Sequence, residues 1–552
     1  MTKSMCAHHC VLLILGMAVT GCYASSGKSA SGKKQRGVAS RGRVAAVRDW
    51  PQWGGSGTRN NTPKVRNICI EWDIASGKNI KWVAHLGSKT NGTPVVAGGK
   101  VFVGTNNAAG RLKRIPSRVD SGCMLCFNAA DGLFLWQYSS MKLRSGNVED
   151  WPKQGICSTP LVENSRVWFV SNRSEIVCLD TEGFADGKND GPYTNEASEN
   201  LDEADVVWKF DMKAELGVVP RYMSNCSLTV LGRSLFLCTS NGRQKGGVTA
   251  PDAPSFIAVD KDTGKVLWSD RSPGPNILNG QWSSPACGII GGVRQVVFAG
   301  GDGWLYSFDP RPTDKGRARL LWKFDCNPKR SKWSLGSGGE RNNLLATPVI
   351  YSNRIYIAVG QDPSHGEGNG RLWCVFPTKQ GDVSPKVVFK ADGVTRPIEH
   401  NPVAGAGKGA IVRVNPHSAV AWQYDRSDFD GDGAIGFEET MHRTICSVAI
   451  DQDLLVIGDL SGVVHCVDAK TGKQYWARDL YSPIWGSPLI AEGHVFIATE
   501  NGDVVVFKLS RNRKTAVPVS TMKMGEPIRS TPIAAGEVLY IATASRLYAI
   551  QK

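Results

Sequence analysis

The sequence predicts an all-β fold, an eight-bladed propeller built from four-stranded repeats. Three strand signatures carry that expectation, each recurring eight times. The first is a hydroxyl residue followed by apolar residues, starting at Thr93, Thr159, Ser227, Ser284, Thr347, Ser447, Ser487 and Thr531. The second follows within a dozen residues (KVFVGT, RVWFVS, SLFLCT and five more), and the third is a small-residue strand (MLCFN, EIVCLD, FIAVD and five more). Alternating β-branched and aromatic residues bounded by Gly and Asn support strands joined by tight turns. A repeat of this kind has to be read before any local feature.

The fourth strand carries a tryptophan. In 258–268 (AVDKDTGKVLW) a strand, a turn at Thr263-Gly264 and a strand ending in Trp268 follow one another. Near copies at 466–476 and 126–136 keep the spacing from the small residue to the tryptophan. Trp82, Trp136, Trp208, Trp268, Trp322, Trp422 and Trp476 mark seven such strands, and 516–521 reads as a tryptophan-less eighth. The Trp82 strand precedes the first complete repeat, while the last repeat lacks a fourth strand. Strand 79–85 is therefore expected to complete the last blade and latch the ring, which removes an open sheet edge. A large ring opposite a glycine turn and a small residue is blade packing, so these tryptophans receive no catalytic role.

Residues 1–22 are read as a leader: Lys3, a short apolar core at 11–19, and Val-Thr-Gly ending at Cys22. The core is too short to span a bilayer. The Val-Thr-Gly-Cys ending resembles a bacterial lipobox, which implies lipidation at Cys22 and an exported chain anchored at a bacterial membrane, facing periplasm or exterior. Residues 23–49 form a basic Ser/Gly-rich tether expected to be disordered, and 50–552 the propeller. Seven basic residues at 23–48 and Lys3 account for eight of the net +15 charges, leaving +7 spread over 49–552. Dispersed charge and export argue against a nucleic-acid partner; the basic tether suits anionic lipid. A single monomeric propeller is expected.

Fifteen cysteines in an exported chain would suggest a disulfide framework. Yet Cys126, Cys178, Cys374 and Cys466 occupy the small-residue position that Ala258, Ser307 and Ala549 fill elsewhere, so they read as core thiols. A Cys123–Cys126 bridge stays open.

Loops in a meander blade alternate between the two faces of a propeller. The loops after second strands and between blades gather most of the irregular sequence on one face, while insertions 181–205 and 377–414 belong to the other. The residues preceding each first strand should ring the channel mouth. Asn225, Gln281, Trp282, Asn343, Arg443, Trp485 and Arg529 form a candidate site for a small planar anion there. Any wide, wet channel also needs a polar lining, and that ordinary reading is preferred.

Residues 428–439 read DFDGDGAIGFEE. Asp428, Asp430 and Asp432 stand at positions 1, 3 and 5, Gly433 at 6 and Glu439 at 12. Three short carboxylates, the Ala434 carbonyl and a bidentate Glu are the oxygen set that calcium takes, and Gly433 permits the sharp turn. A strand precedes the loop and at most a short helix at 437–444 follows, so this is an isolated EF-hand-like calcium loop with a structural role. The stretch 186–191 (DGKNDG) is similar but has Lys188 where a ligand is needed.

The repeats, with their small residue, glycine turn and tryptophan, resemble the PQQ-binding-like propeller superfamily across nearly all of 50–552. Two branches matter: quinoprotein alcohol dehydrogenases, and the BamB-type lipoprotein of outer-membrane assembly. The WPQW opening at 50–53 and the runs SPGPNILNGQWSSPA and GGDGWLYSFDP look closest to uncharacterised secreted members. The dehydrogenase pattern implies PQQ, a cofactor-bound calcium beside a catalytic Asp, and two adjacent cysteines; no adjacent pair exists here. The preferred expectation is a membrane-tethered, non-catalytic protein-interaction scaffold, BamB-like, whose partners are envelope or cell-surface proteins. The alternative is a PQQ- and calcium-dependent alcohol dehydrogenase-like oxidoreductase with its site at the channel mouth.

Overall fold

In the computed structural model, residues 49–332, 340–365, 368–396, 407–512 and 516–552 are described. The leader, Cys22 and all of the tether except Asp49 lie outside the described residues. The described chain forms eight four-stranded antiparallel blades, one of them extended by a fifth strand. Blade 1 runs Val95–Ala97, Lys100–Asn106, Ser121–Asn128 and Phe134–Met141, and blades 2 to 7 repeat the order. Blade 8 takes Ile533–Ala535, Val538–Ala542 and Arg546–Ile550 from the carboxy-terminal end, and Ile80–His85 pairs antiparallel with Arg546–Ile550 as its fourth strand.

The hydroxyl that opens each first strand has a physical purpose that the repeat alone does not disclose. The backbone N–H of Thr93 donates to the Thr159 hydroxyl, that of Thr159 to Ser227, and so on through Ser284, Thr347, Ser447, Ser487 and Thr531. Thr531 N–H then donates to Thr93, closing a circle of eight bonds of 2.9–3.4 Å. Each blade thus satisfies a buried donor of the blade before it.

The tryptophans dock in the same direction at the outer edge. Trp82, Trp136, Trp208, Trp268, Trp422 and Trp476 each donate their indole N–H to a carbonyl of the next blade, at Ala129, Thr181, Lys261, Pro310, Ala469 and Ser510. Trp322 turns instead to Gln295 of its own blade. Gly264 shows why the turn needs glycine: its φ is +72°, and a Cβ would stand 2.7 Å from the Trp208 ring.

Blade 7 inverts the pattern. Its fourth strand is Ser520–Lys523, later than the 516–521 read from sequence, because no tryptophan marks the register. Ser520 pairs with Val506, whereas in blade 6 Trp476 pairs with Cys466, so large and small have changed places. Trp72, from the amino-terminal segment, is buried beside this blade with its indole N–H on the Met524 sulfur. The Ser520 hydroxyl donates to the Ile70 carbonyl.

Ahead of that segment, twelve residues touch every blade. Trp50 pairs with Val96 of blade 1, and the Pro51 carbonyl accepts from Val162 of blade 2. Arg59 reaches blade 3, and Gly57 and Thr58 accept from Cys287 and Ile350 of blades 4 and 5. Asn60 exchanges two bonds with Ile450 of blade 6, and Asn61 bonds Pro488 and Pro532 of blades 7 and 8. Innermost strands have one unpaired edge facing the channel, and this strap satisfies part of all eight.

A short segment of each insertion pairs with the outer strand of the preceding blade. Gly381–Asp382 pairs parallel with Leu320–Asp325 of blade 4, and Glu203 bridges parallel to Gln137 of blade 1. Twelve cysteines are free and buried among the described residues. Cys123 and Cys126 are three apart on one strand and so point to opposite faces of the sheet, which excludes a bridge between them. Burial pushes the Cys123 and Cys446 thiols up to about 12, and Cys226 to about 11, leaving them unreactive core groups.

Candidate functional site

The loop between blades 5 and 6 holds the acidic motif. Gly431 and Gly433 adopt left-handed φ values of +77° and +84°, the bends that fold the loop over its own carboxylates. Asp428 accepts from the N–H groups of Gly431 and Gly433, Asp430 from Asp432, and Asp432 from Ala434. Glu439 is buried and accepts from Phe429, Asp430 and Gly436, which aims it back across the loop. One carboxylate oxygen from each of Asp428, Asp430, Asp432 and Glu439 falls within 4.8 Å of the others. Four carboxylates converging that closely fit a hard divalent cation with oxygen ligands, with Ala434 next to the set. Glu439 ends in a turn whose next residue, Thr440, bridges to Arg426, so the short helix expected at 437–444 does not form. Glu438 instead ties the loop to blade 6, accepting from the Asp479 N–H.

Beneath the loop is a buried polar chain that the sequence pattern does not reveal. Phe437 packs on the His442 ring at 4.4 Å. His442 Nδ1 and His465 Nε2 lie 3.0 and 3.2 Å from one oxygen of Asp459, and Tyr424 Oη lies 3.0 Å from His465 Nδ1. An ionised Asp459 requires N–H from both rings; a neutral His465 then accepts from the Tyr424 hydroxyl. Asp459 also accepts backbone N–H bonds from His442, Ser461 and Val463. Burial pushes its carboxyl up, but the His442 and His465 bonds outweigh burial and hold it at about 2.

That carboxylate has a consequence for acid stability. Its folded pKa lies below the unfolded value, so its contribution is complete above about pH 4 and is lost as pH falls toward 2, to the extent of about 2 kcal/mol. Urea melts between pH 5 and pH 2 should show that loss, and Asp459→Asn should flatten it. An unchanged slope in the variant would contradict the assignment.

The mouth residues divide. Gln281 is fully buried and donates to the Asn241 carbonyl and the Ser255 hydroxyl, and Asn343 donates to the Gly280 carbonyl. Trp282 is buried, stacked on Tyr222 with its N–H on the Arg221 carbonyl. Arg529 pairs with Glu500 and lies over the Trp485 ring. Asn225 is half-buried. These groups stitch adjacent blades. Arg443 alone of the set opens on a cavity of about 750 Å³ beside the acidic loop, which contributes Ile435 to its wall. Arg330, Arg371 and Arg426 join it there; Arg371 opens the strand Arg371–Val375, the other two lie in separate loops, and no motif links them in the sequence. Among the described residues, no helix is long and apolar enough to cross a membrane.

Comparison with known proteins places these observations. Residues 407–552 match the family model described as outer membrane protein assembly factor BamB. A curated protein of that name from Kangiella koreensis is 26% identical over 225 residues, 39% of this chain. The match spans about half (48%) of that relative's length. Among solved structures, quinohemoprotein alcohol dehydrogenase from Comamonas testosteroni superposes with a TM-score of 0.55 at 13% identity, over 92% of this chain and 81% of its own. BamB from Moraxella catarrhalis gives 0.49 at 12% identity, over 85% and 98%.

Proposed function

From an eight-bladed propeller whose residues 407–552 match the BamB family model, we propose a membrane-tethered, extracytoplasmic binding platform without catalysis of its own. Lipidated Cys22 is its anchor, 23–49 its tether and 428–439 its structural calcium loop. Its partners are envelope proteins, and the name of the Kangiella relative, an outer membrane assembly factor, supports assembly proteins of that membrane as the first to test. One observation carries the reading. The mouth groups that would have to converge on a cofactor, Gln281, Asn343 and Arg529, bond neighbouring blades.

The anchor is tested by fractionation. The full chain is expected in the membrane fraction, and Cys22→Ser should move it to the soluble extracytoplasmic fraction without changing the fold. A variant that stays with the membrane would remove the anchor from this reading. Cross-linking the anchored chain in cells then tests the partner: adducts with outer-membrane assembly proteins are expected.

A further inference from the structure

The insertion at 181–205 differs in charge from the basic chain that carries it. It holds eight acids and one base, Lys188, which pairs with Asp186. Neighbouring elements bring four more bases to it. Lys100 pairs with Glu182, Arg114 with Glu203, and Arg166 with both Asp180 and Asp190, while Lys209 lies over the Tyr193 and Tyr138 rings. With Asp180 included, nine acids meet five bases, an excess of four negative charges. Acids still outnumber bases when the exposed Lys113 and Arg118 of the Arg114 loop are added. Arg173 and Glu175, whose charges act on Tyr138, pair with each other. Such a local excess draws cationic partners and steers their approach.

Beside this insertion a pocket of about 230 Å³ opens between the outer strands of blades 1 and 2. Tyr138, Tyr193, Met141 and Val206 wall it, and Glu196 and Lys209 complete the lining. Both carboxylate oxygens of Glu196 are buried, and neither has a hydrogen-bond donor among the described residues. The two bases of the lining are placed elsewhere. Arg114 is bonded twice to Glu203, and Lys209 Nζ keeps to the ring faces, 4.5 Å from the Tyr193 centroid and 5.5 Å from that of Tyr138. Asp205, 1% exposed, repeats the shortfall next to Glu196: one of its oxygens is buried without a donor. Burial, with the charges of Asp190, Asp180 and Glu196, pushes the Asp205 carboxyl up to about 6. Buried carboxylate oxygens without donors are costly, and a cation set against Glu196 would remove that cost.

We propose that this pocket receives a lysine or arginine side chain from a basic segment of a partner protein, its cationic head set against Glu196. The volume lies below the range of about 300–1,000 Å³ usual for small-molecule pockets and suits one long side chain. The alkyl stem of such a side chain packs on apolar surface while its head keeps to polar groups, and Met141 and Val206 offer that surface. A guanidinium would take the two Glu196 oxygens as a pair, an ammonium as a point charge. The pocket rests on the platform reading only for the existence of a partner, and adds the chemistry that the partner presents.

Calorimetric titration of the purified full-length chain at low salt tests it. The probes are a flexible Gly/Ser peptide with spaced lysines, the same peptide with arginines, and an acetyl-lysine version as the neutral control. Saturable one-site binding of a charged peptide is expected, and the tighter of the two tells ammonium from guanidinium. Glu196→Gln should weaken it at least roughly tenfold. Glu196 accepts no hydrogen bond within the described chain, so that loss should come with an unaltered melting temperature. Lys209→Met, which removes a competing cation from the lining, should strengthen binding. Asp314→Asn makes the same change of charge on an exposed turn of blade 4 and should leave binding unchanged. Absence of saturable binding by both charged peptides, equal binding of the acetylated one, or binding indifferent to Glu196→Gln would overturn the pocket and leave the anchor and cross-linking results untouched. A chain that fails those two experiments and still binds the peptide through Glu196 would lose the platform and keep the pocket.

Discussion

Arg59→Met is expected to destabilise the propeller by about 3–5 kcal/mol, the largest effect of any single replacement considered. Arg59 is fully buried and donates to the carbonyls of Trp53, Ser227, Leu228 and Pro285. Those acceptors belong to the strap itself and to blades 3 and 4, so one side chain fastens the crossing segment to the ring. Burial lowers the guanidinium to about 10, yet it keeps its proton at neutral pH because carbonyl dipoles replace water around it. Methionine fills much of the volume and leaves the carbonyls without donors, each at a cost of about 1–3 kcal/mol before relaxation. Arg59→Lys, with a smaller fan of donors, should fall between. Denaturant melts measure both. Equal stability of Arg59→Met and the parent would mean that the strap is not held in this way.

Calcium should raise the stability of the parent by about 2.7 kcal/mol when free calcium is 100 times the dissociation constant. Asp430→Asn and Glu439→Gln should each abolish that rise. The two controls point in opposite directions in the absence of calcium. Asp430→Asn removes one of four crowded negative charges and should be neutral or stabilising. Glu439→Gln disturbs an oxygen pair that accepts three backbone N–H bonds and should be destabilising. A parent that melts identically with calcium and with chelator would reduce 428–439 to an acidic turn.

The blades were legible in the sequence because each strand carries a periodic mark, and the marks repeat. Trp82 is the clearest case: an orphan fourth strand at one end and a missing one at the other imply their pairing. Where the mark is lost, the reading slipped, as at Ser520–Lys523. The acidic loop was legible because its ligands lie within twelve residues. Arg59 and the arginine-lined cavity were not, for the opposite reason: their groups come together from distant parts of the chain, 168 residues apart in the case of Arg59 and Ser227. The two insertions were visible as breaks in the repeat, but not the edges they cover, since a single parallel bridge at Gln137–Glu203 leaves no periodic trace.

We propose that this propeller binds partners and does not oxidise a substrate through a quinone. Optical titration of the purified chain with PQQ, with and without calcium, followed by a dye-reduction assay with alcohols, tests it most directly. No quinone uptake is expected, with calcium changing the melting temperature alone. Saturable quinone uptake followed by alcohol-dependent dye reduction would contradict it and make the channel mouth an active site.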